Sequence, residues 1–572
     1  MHNKGEKMNK KGKFFIYLSV FIASILLLVG GCFAIMFFSP GTEILGYEYI
    51  MLTQSESRTL TPSDYYGVEA IKLTSDISKI SVYPNKNANE LVINYNKDIS
   101  GYVKSVNAEA KISLKTQNQM FAIEKDASEE YSTLVIKISE PKGWLSYENS
   151  NIKVYLPENL FSAIYVSCGK SDVSLTASQN YQDEEMGSQL TRTISCEHLF
   201  LQSGGNGNVT TSPTNQIKTY NLQTEYGRAS ISGVKQLSVE QLIFSTHSGT
   251  FDFSCGGKGE LALTKGFYVN ASGNSTVKCQ TINCATEIST DGGEISIENV
   301  GQESSPKDIK IFANRAIINI SNINGTILSD GADGQANSIT IKKLKNSSTQ
   351  TSTIQSGEGN VVVDLLESNL AVSSTSGNIN LKEVSSSSSV YAYTTSGDIN
   401  VNYRQSSTYS NGTKLQIFTK TGNIKLYNIS CKLELEVLEH SPNKSCDLTF
   451  TAVCNSEDGS LLNNKIEAES RDIKITFKGI NDNLACRMLS KKEVFFDNSI
   501  SSACSKVDTT SVPADRDNLL SQSAYSGYSK QYRIFYRNPV DVEEEGGTPV
   551  LYQRLGILLI NASITSISHT IS

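Results

Sequence analysis

A chain of 572 residues exceeds the usual size of one hydrophobic core, so it must be several domains or one extended repeat structure. With 19% charged residues, 40 Gly and only 11 Pro, and with Ser, Thr and Asn filling much of the rest, the composition is that of a β-rich, turn-rich surface and not of a disordered tail. The net charge of −7, with no basic patch among aromatics beyond the first residues, argues against a nucleic-acid partner, because such binding needs Lys and Arg on phosphates.

The first thirteen residues form a basic segment, with five lysines from Lys4 to Lys13 against Glu6. From Phe14 to Phe38 no charge occurs, which is long enough for a helix of about 20 residues to cross a hydrocarbon layer. Glu43 and Glu48 precede the first basic residue beyond it, Arg58, so the positive-inside bias puts the amino terminus in the cytoplasm and the bulk outside the cell. A cleaved signal peptide is the rival, although its apolar stretch is normally shorter. A second rival lies in "LLVGGC", which resembles a bacterial lipobox ending at Cys32, but "FAIMFF" continues apolar beyond it.

Residues 39–66 read as a linker. Residues 67–150 read as a β-rich region, from the alternation in "AIKLTSDISKISVYP", "ELVINYN" and "STLVIKIS". Over 151–430 one figure recurs. "SGNINL" and "SGDINV" alternate Ile379 and Leu381, or Ile399 and Val401, with polar residues, and each follows a glycine, Gly377 or Gly397, suited to a turn with φ > 0. Imperfect copies run from "SCGKSDVSL" to "KTGNIKL". The glycine intervals are 22 for Gly227–Gly249, 20 for Gly273–Gly293, Gly357–Gly377 and Gly377–Gly397, and 25 for Gly397–Gly422. Neither strand of such a unit can bury its apolar side alone, so the period predicts stacked rungs of 20 to 25 residues. Residues 431–572 read as a β-rich cap and tail, with "LGILLINASI" as a closing strand.

An apolar anchor followed by "IKVYLPENLFSAIYVSCGKSDVSL" and serial "TSGNI", "TSGDI" and "TGNI" resembles the bacterial putative-adhesin family, DUF4097-like, over roughly Ile152 to Ser430. The resemblance implies a β-strand-repeat domain at the cell surface. It carries over no catalytic or cofactor residue.

Ten cysteines beyond Cys32 invite pairing, with Cys279–Cys284, Cys446–Cys454 and Cys486–Cys504 as sequence neighbours. Single buried cysteines acting as small hydrophobes are the alternative, for Cys168, Cys255 and Cys279 above all. Cys196 with His198 is too sparse for zinc. "STDGGE" and "SDGADGQANS" resemble calcium-binding turns, yet the repeat near 20 residues, with Asn or Ser in most copies, favours plain turns. "SGGNGN" precedes no helix and is not a phosphate cradle. His2, His198, His247, His440 and His569 are scattered. Asp252, Glu294 and Asp398 stand at turn positions where Asp and Asn interchange, which points to hydrogen bonding with the backbone and not to proton transfer. Asn-x-Ser/Thr triplets such as Asn270 and Asn428 follow from composition alone.

The expectation is therefore all-β: a β-solenoid or β-helix-like stack preceded by one transmembrane helix, without catalytic, cofactor-binding or metal residues and without a cofactor. It would not be an enzyme. Its partners would be the membrane, through the helix, and glycans, cell-wall or surface proteins, through exposed Asn, Ser, Thr and Tyr such as Tyr391, Tyr393 and Tyr403. The competing functions are an envelope-stress or regulatory accessory membrane protein and a β-helical polysaccharide-active enzyme.

Overall fold

The computed structural model describes residues 10–40, 42–44, 46–103, 111–123, 127–140, 143–158, 161–182, 189–214, 216–253, 259–331, 335–346, 349–439, 444–453, 463–479, 484–507, 520, 523–535 and 556–570. It divides into two compact units, Met1–Lys218 and Thr219–Ser572.

The first unit opens with the helix Lys10–Phe37, of which Tyr17–Phe37 is apolar and long enough to cross a membrane. The stretch expected to be a linker is instead largely a strand, Tyr47–Leu60, paired antiparallel with Leu91–Val103 along its length. Its own pattern hides this, because Ser, Thr, Gln and Glu occupy both faces and only the partner fixes it as a strand. Leu91–Val103 pairs antiparallel with Gly143–Leu156, and Lys111–Ala122 with Ser128–Ser139.

Two of these strands pass over into parallel stacking. Thr133–Ile138 lies against Ala70–Ser75, and Asn151–Leu156 against Lys79–Pro84. The opposite edges of Ala70–Ser75 and Lys79–Pro84 pair with Ala163–Cys168 and Val173–Leu175. Order along the stack thus departs from order along the chain. The coil at 133–156 lies beneath the one at 70–84, and the coil at 163–176 lies above it.

At the corners between strands, Gly169 N–H donates to Ser75 O at 3.0 Å and Gly204 N–H to Cys168 O at 2.9 Å, both in the coil beneath, while Ile80 N–H and Val173 N–H donate to Asp172 O and Asn208 O in the coil above, at 3.0 and 2.8 Å. The corner at Ile77 and Ser78 instead finds the buried carboxylate of Glu140, which accepts from both amides at 2.6 and 3.1 Å and from the Ser78 hydroxyl. An anion suits a site where backbone donors converge.

The second unit follows the expected plan, with parallel ladders joining successive coils. Ile295, Ile318, Ile339, Val361, Ile379, Ile399, Ile424, Cys446 and Ile473 succeed one another in register, and all are buried. Each such side chain contributes about 1.5–3 kcal/mol on burial, and no single coil could seal its own apolar face.

The reason for the glycines differs from the expected one. Neither Gly377 nor Gly397 has positive φ. A Cβ on Gly377 would stand 1.9 Å from Gly359 O, one on Gly397 2.0 Å from Gly377 O, and one on Gly422 1.7 Å from Gly397 O. Backbone packs on backbone here, and no side chain fits. The member of this column beneath Gly377 is Gly359, at an interval of 18, and not Gly357, which has φ of 62°. Likewise Gly293 stands over Ser275 and not over Gly273. Where the column has Asn337, that side chain is fully buried and bends down, accepting from Ala316 N–H at 2.8 Å.

At four of the glycines a buried hydroxyl three residues earlier accepts the amide proton: Thr246 from Gly249 at 2.7 Å, Ser374 from Gly377 at 2.9 Å, Thr394 from Gly397 at 3.0 Å and Thr419 from Gly422 at 3.1 Å. Thr394→Val keeps the shape and orphans the Gly397 amide. Urea denaturation should show a loss of about 1–3 kcal/mol, with Thr394→Ser nearer the parent.

At the far end, Asn463–Lys478 pairs in parallel with Gly556–Thr570, whose other edge takes Cys486–Ser490 and Val494–Phe496. The strand expected to close the fold is therefore interior to it. Antiparallel strands Lys530–Ile534 and Cys504–Val507 cover Cys486–Ser490 in turn. The "VEEEGG" segment, Val542 to Gly547, lies outside the described residues.

Candidate binding surface

The outward residues fall into rows one coil apart. Directly after the glycine column, Asn360 Oδ1 accepts from Asn378 N–H, Asn378 Oδ1 from Asp398 N–H and Asp398 Oδ1 from Asn423 N–H, each at 2.8 Å; Asn423 Oδ1 accepts from Ser445 N–H at 2.9 Å. This explains why Asp and Asn interchange: the chain uses one acceptor oxygen and does not need the charge. Two further rows link Asn400 Nδ2 to Asn380 Oδ1 at 3.1 Å and, two residues along the strand, Asn428 Nδ2 to Asn402 Oδ1 at 2.9 Å. Asp252 and Glu294, expected at turns, lie within the strands Thr250–Phe253 and Thr286–Val300 and are also engaged, Asp252 with Arg228 and Glu294 with Lys278 at 3.8 Å.

The three tyrosines expected on the surface do not share it. Tyr391 is 41% exposed and stacks on Phe418 with centroids 5.4 Å apart, and Tyr393 is half-buried. Tyr403 is 1% exposed and donates its hydroxyl to Ser388 O at 3.0 Å. It lies in phase with Ile399 and Val401, so period two already assigns it to the core.

The outer faces of Asn274–Ile282, Thr286–Val300, Ile309–Asn324 and Ser338–Lys345 together form a groove of about 490 Å³. One row of its lining is Lys278, Ser296, Asn319 and Thr340, and the next is Gln280, Glu298, Ser321 and Lys342. Gln280 Nε2 donates to Glu298 at 3.0 Å, while its buried Oε1 has no protein partner among the described residues. Lys342 has no ion pair among them. Sequence reasoning missed this groove, since no motif marks it and only register brings the rows together.

The cysteines serve the stack. Cys446 occupies the aliphatic column between Ile424 and Ile473, and Cys279 stands in register with Ile297. Cys168 Sγ accepts from Ser171 N–H at 3.2 Å, the task the threonines perform elsewhere. Cys279 and Cys284 are reduced, and Cys486 and Cys504 flank Ile534 from opposite sides, two strand spacings or about 10 Å apart, too far for a disulfide. Cys255, Cys454, His2, His440 and Asp333 lie outside the described residues. Cys196 and His198 are buried, His198 against Tyr131 with rings 6.5 Å apart. Cys32 is exposed on the amino-terminal helix, which continues to Phe37.

Burial pushes the Cys284 thiol from its ordinary 9.0 up to about 11, and Cys431 and Cys446 up to about 12. The fold thus favours the protonated thiol. That stability is whole below pH 9 and is lost as pH climbs towards the folded values, by about 1.4 kcal/mol per pH unit and thiol. Urea midpoints between pH 9 and 11 should fall less steeply for Cys446→Val than for the parent.

Parallel coils stacked in register on an aliphatic core, preceded by an apolar helix, define a β-solenoid-like repeat protein. Residues 234–426 match the family described as Toastrack DUF4097. Among solved structures, a putative cell adhesion protein from Clostridium sporogenes is 13% identical, with TM-score 0.22, 47% of this chain and 99% of that one being covered. A putative adhesin from Parabacteroides merdae is 12% identical, with TM-score 0.17, covering 65% and 96%. No curated protein matches the chain.

Proposed function

We propose that this is a membrane-anchored surface protein whose repeats present a binding face away from the cell, with the basic amino terminus in the cytoplasm. The observation that carries this reading is the groove from Lys278 to Lys342, where hydroxyls, amides and an ammonium without an ion pair among the described residues line a concave face of ligand size. In the row Asn360, Asn378, Asp398 and Asn423, by contrast, the turn side chains are engaged by the stack's own ladder. Hydroxyl-rich glycans of host or cell-wall origin suit such a lining, through several modest hydrogen bonds.

The full chain in lipid nanodiscs, tested against a panel of glycans, peptidoglycan and matrix proteins, decides the matter. Binding weakened by Asn319→Ala and Lys342→Ala supports the reading. Uniform absence of binding removes it.

A further inference from the structure

The last carbonyls of a helix lack intrahelical partners. Here the following chain supplies them: Thr42 Oγ1 donates to Met36 O at 2.9 Å, Ser39 Oγ to Ile35 O, and the hydroxyl of Tyr102, from Leu91–Val103, to Phe37 O. Tyr102 stands opposite Tyr49 in the ladder, with ring centroids 5.1 Å apart, and Tyr49 meets Phe38 edge-on at 5.6 Å. Phe38 is 58% exposed and Met51, two residues beyond Tyr49 on the same sheet face, is 64% exposed. Farther along that face the cross-strand pairs turn polar, with Thr53 donating to Asp98 at 2.8 Å and Ser55 to Asn96 at 2.7 Å.

Beside the apolar helix this face is thus aromatic and apolar, and within a few residues it becomes polar. A bilayer's boundary changes in the same sense, and amphipathic rings concentrate there. We propose that this corner of the sheet is a seat on the membrane: Phe38, Tyr49, Met51 and Tyr102 lie in the lipid headgroup layer, and the helix is joined to the sheet without a flexible hinge. The inference rests on reading the helix as an anchor. Lipid is the occupant because the helix itself brings the bilayer to this face, and the apolar side chains left exposed adjoin its end.

The chain's single tryptophan is replaced, Trp144→Phe, and Met51→Trp, exposed on this face, serves as the reporter. The full chain is placed in phosphatidylcholine vesicles containing lipids brominated either near the headgroup or deep in the acyl chain. The seat predicts stronger quenching by the shallow bromines, reduced in Tyr49→Ser/Tyr102→Ser. Absence of quenching at either depth, in protein that resists carbonate extraction, overturns the seat and leaves the anchor standing. Extraction by carbonate overturns the anchor, and the seat with it.

Discussion

Gly397→Ala is expected to destabilise the second unit by about 3 kcal/mol, the upper end of what over-packing costs. The added methyl would stand 2.0 Å from Gly377 O and 2.6 Å from Gly377 C, both backbone atoms that no rotamer change can move. Relief requires the coils to part at that corner, which stretches the neighbouring bonds from Thr395 N–H and Ser396 N–H to Thr375 O, both 3.1 Å. Gly412→Ala is the control. Its Cβ would meet nothing within 4 Å and its φ is ordinary, so that change should stay within about 0.5 kcal/mol. Urea denaturation of the two variants checks the contrast, and equal midpoints would remove the backbone-contact explanation of the glycine column.

Deleting Gly556–Thr570 should release the whole far end. That strand pairs with Asn463–Lys478 on one edge and with Cys486–Ser490 and Val494–Phe496 on the other, and it contributes the buried Ile557, Leu558, Ile560 and Ile567. Four large side chains at about 1.5–3 kcal/mol each exceed the margin of a terminal coil. Hydrogen exchange should show protection lost over 484–507 and reduced over 463–478, whose other edge stays paired with Cys446–Phe450, but kept over 379–403. Retained protection at 484–507 would mean that the interior placement of the strand is wrong.

What was legible in the sequence was whatever a strand reports about itself. The alternation of Ile379 with Leu381 and of Ile399 with Val401 specified the buried face, and the exchange of Asn378 for Asp398 specified an acceptor for the backbone. The phase of the glycines was less secure, because "QSGEGN" holds two and only the neighbouring Val361 and Val363 show which one stacks. Tyr403 was misplaced by its residue type, although its phase was correct. Stacking order was not legible at all. Residues 133–156 beneath 70–84, and 556–570 between 463–478 and 486–496, carry the same alternation wherever they insert. The groove from Lys278 to Lys342 is of the same kind, being a product of register across four strands.

The central claim, that coils pile in register one strand spacing apart, is tested most directly by spin-label distances along one outward row. In the ladder Ser296, Asn319, Thr340, Val362, Asn380, Asn400 and Lys425 succeed one another. Labels pairing Lys425 with Thr340, Asn319 and Ser296, four, five and six coils away, should lie about 19, 24 and 29 Å apart, rising by about 4.8 Å per coil. Separations that do not grow by that step with each added coil would contradict the account.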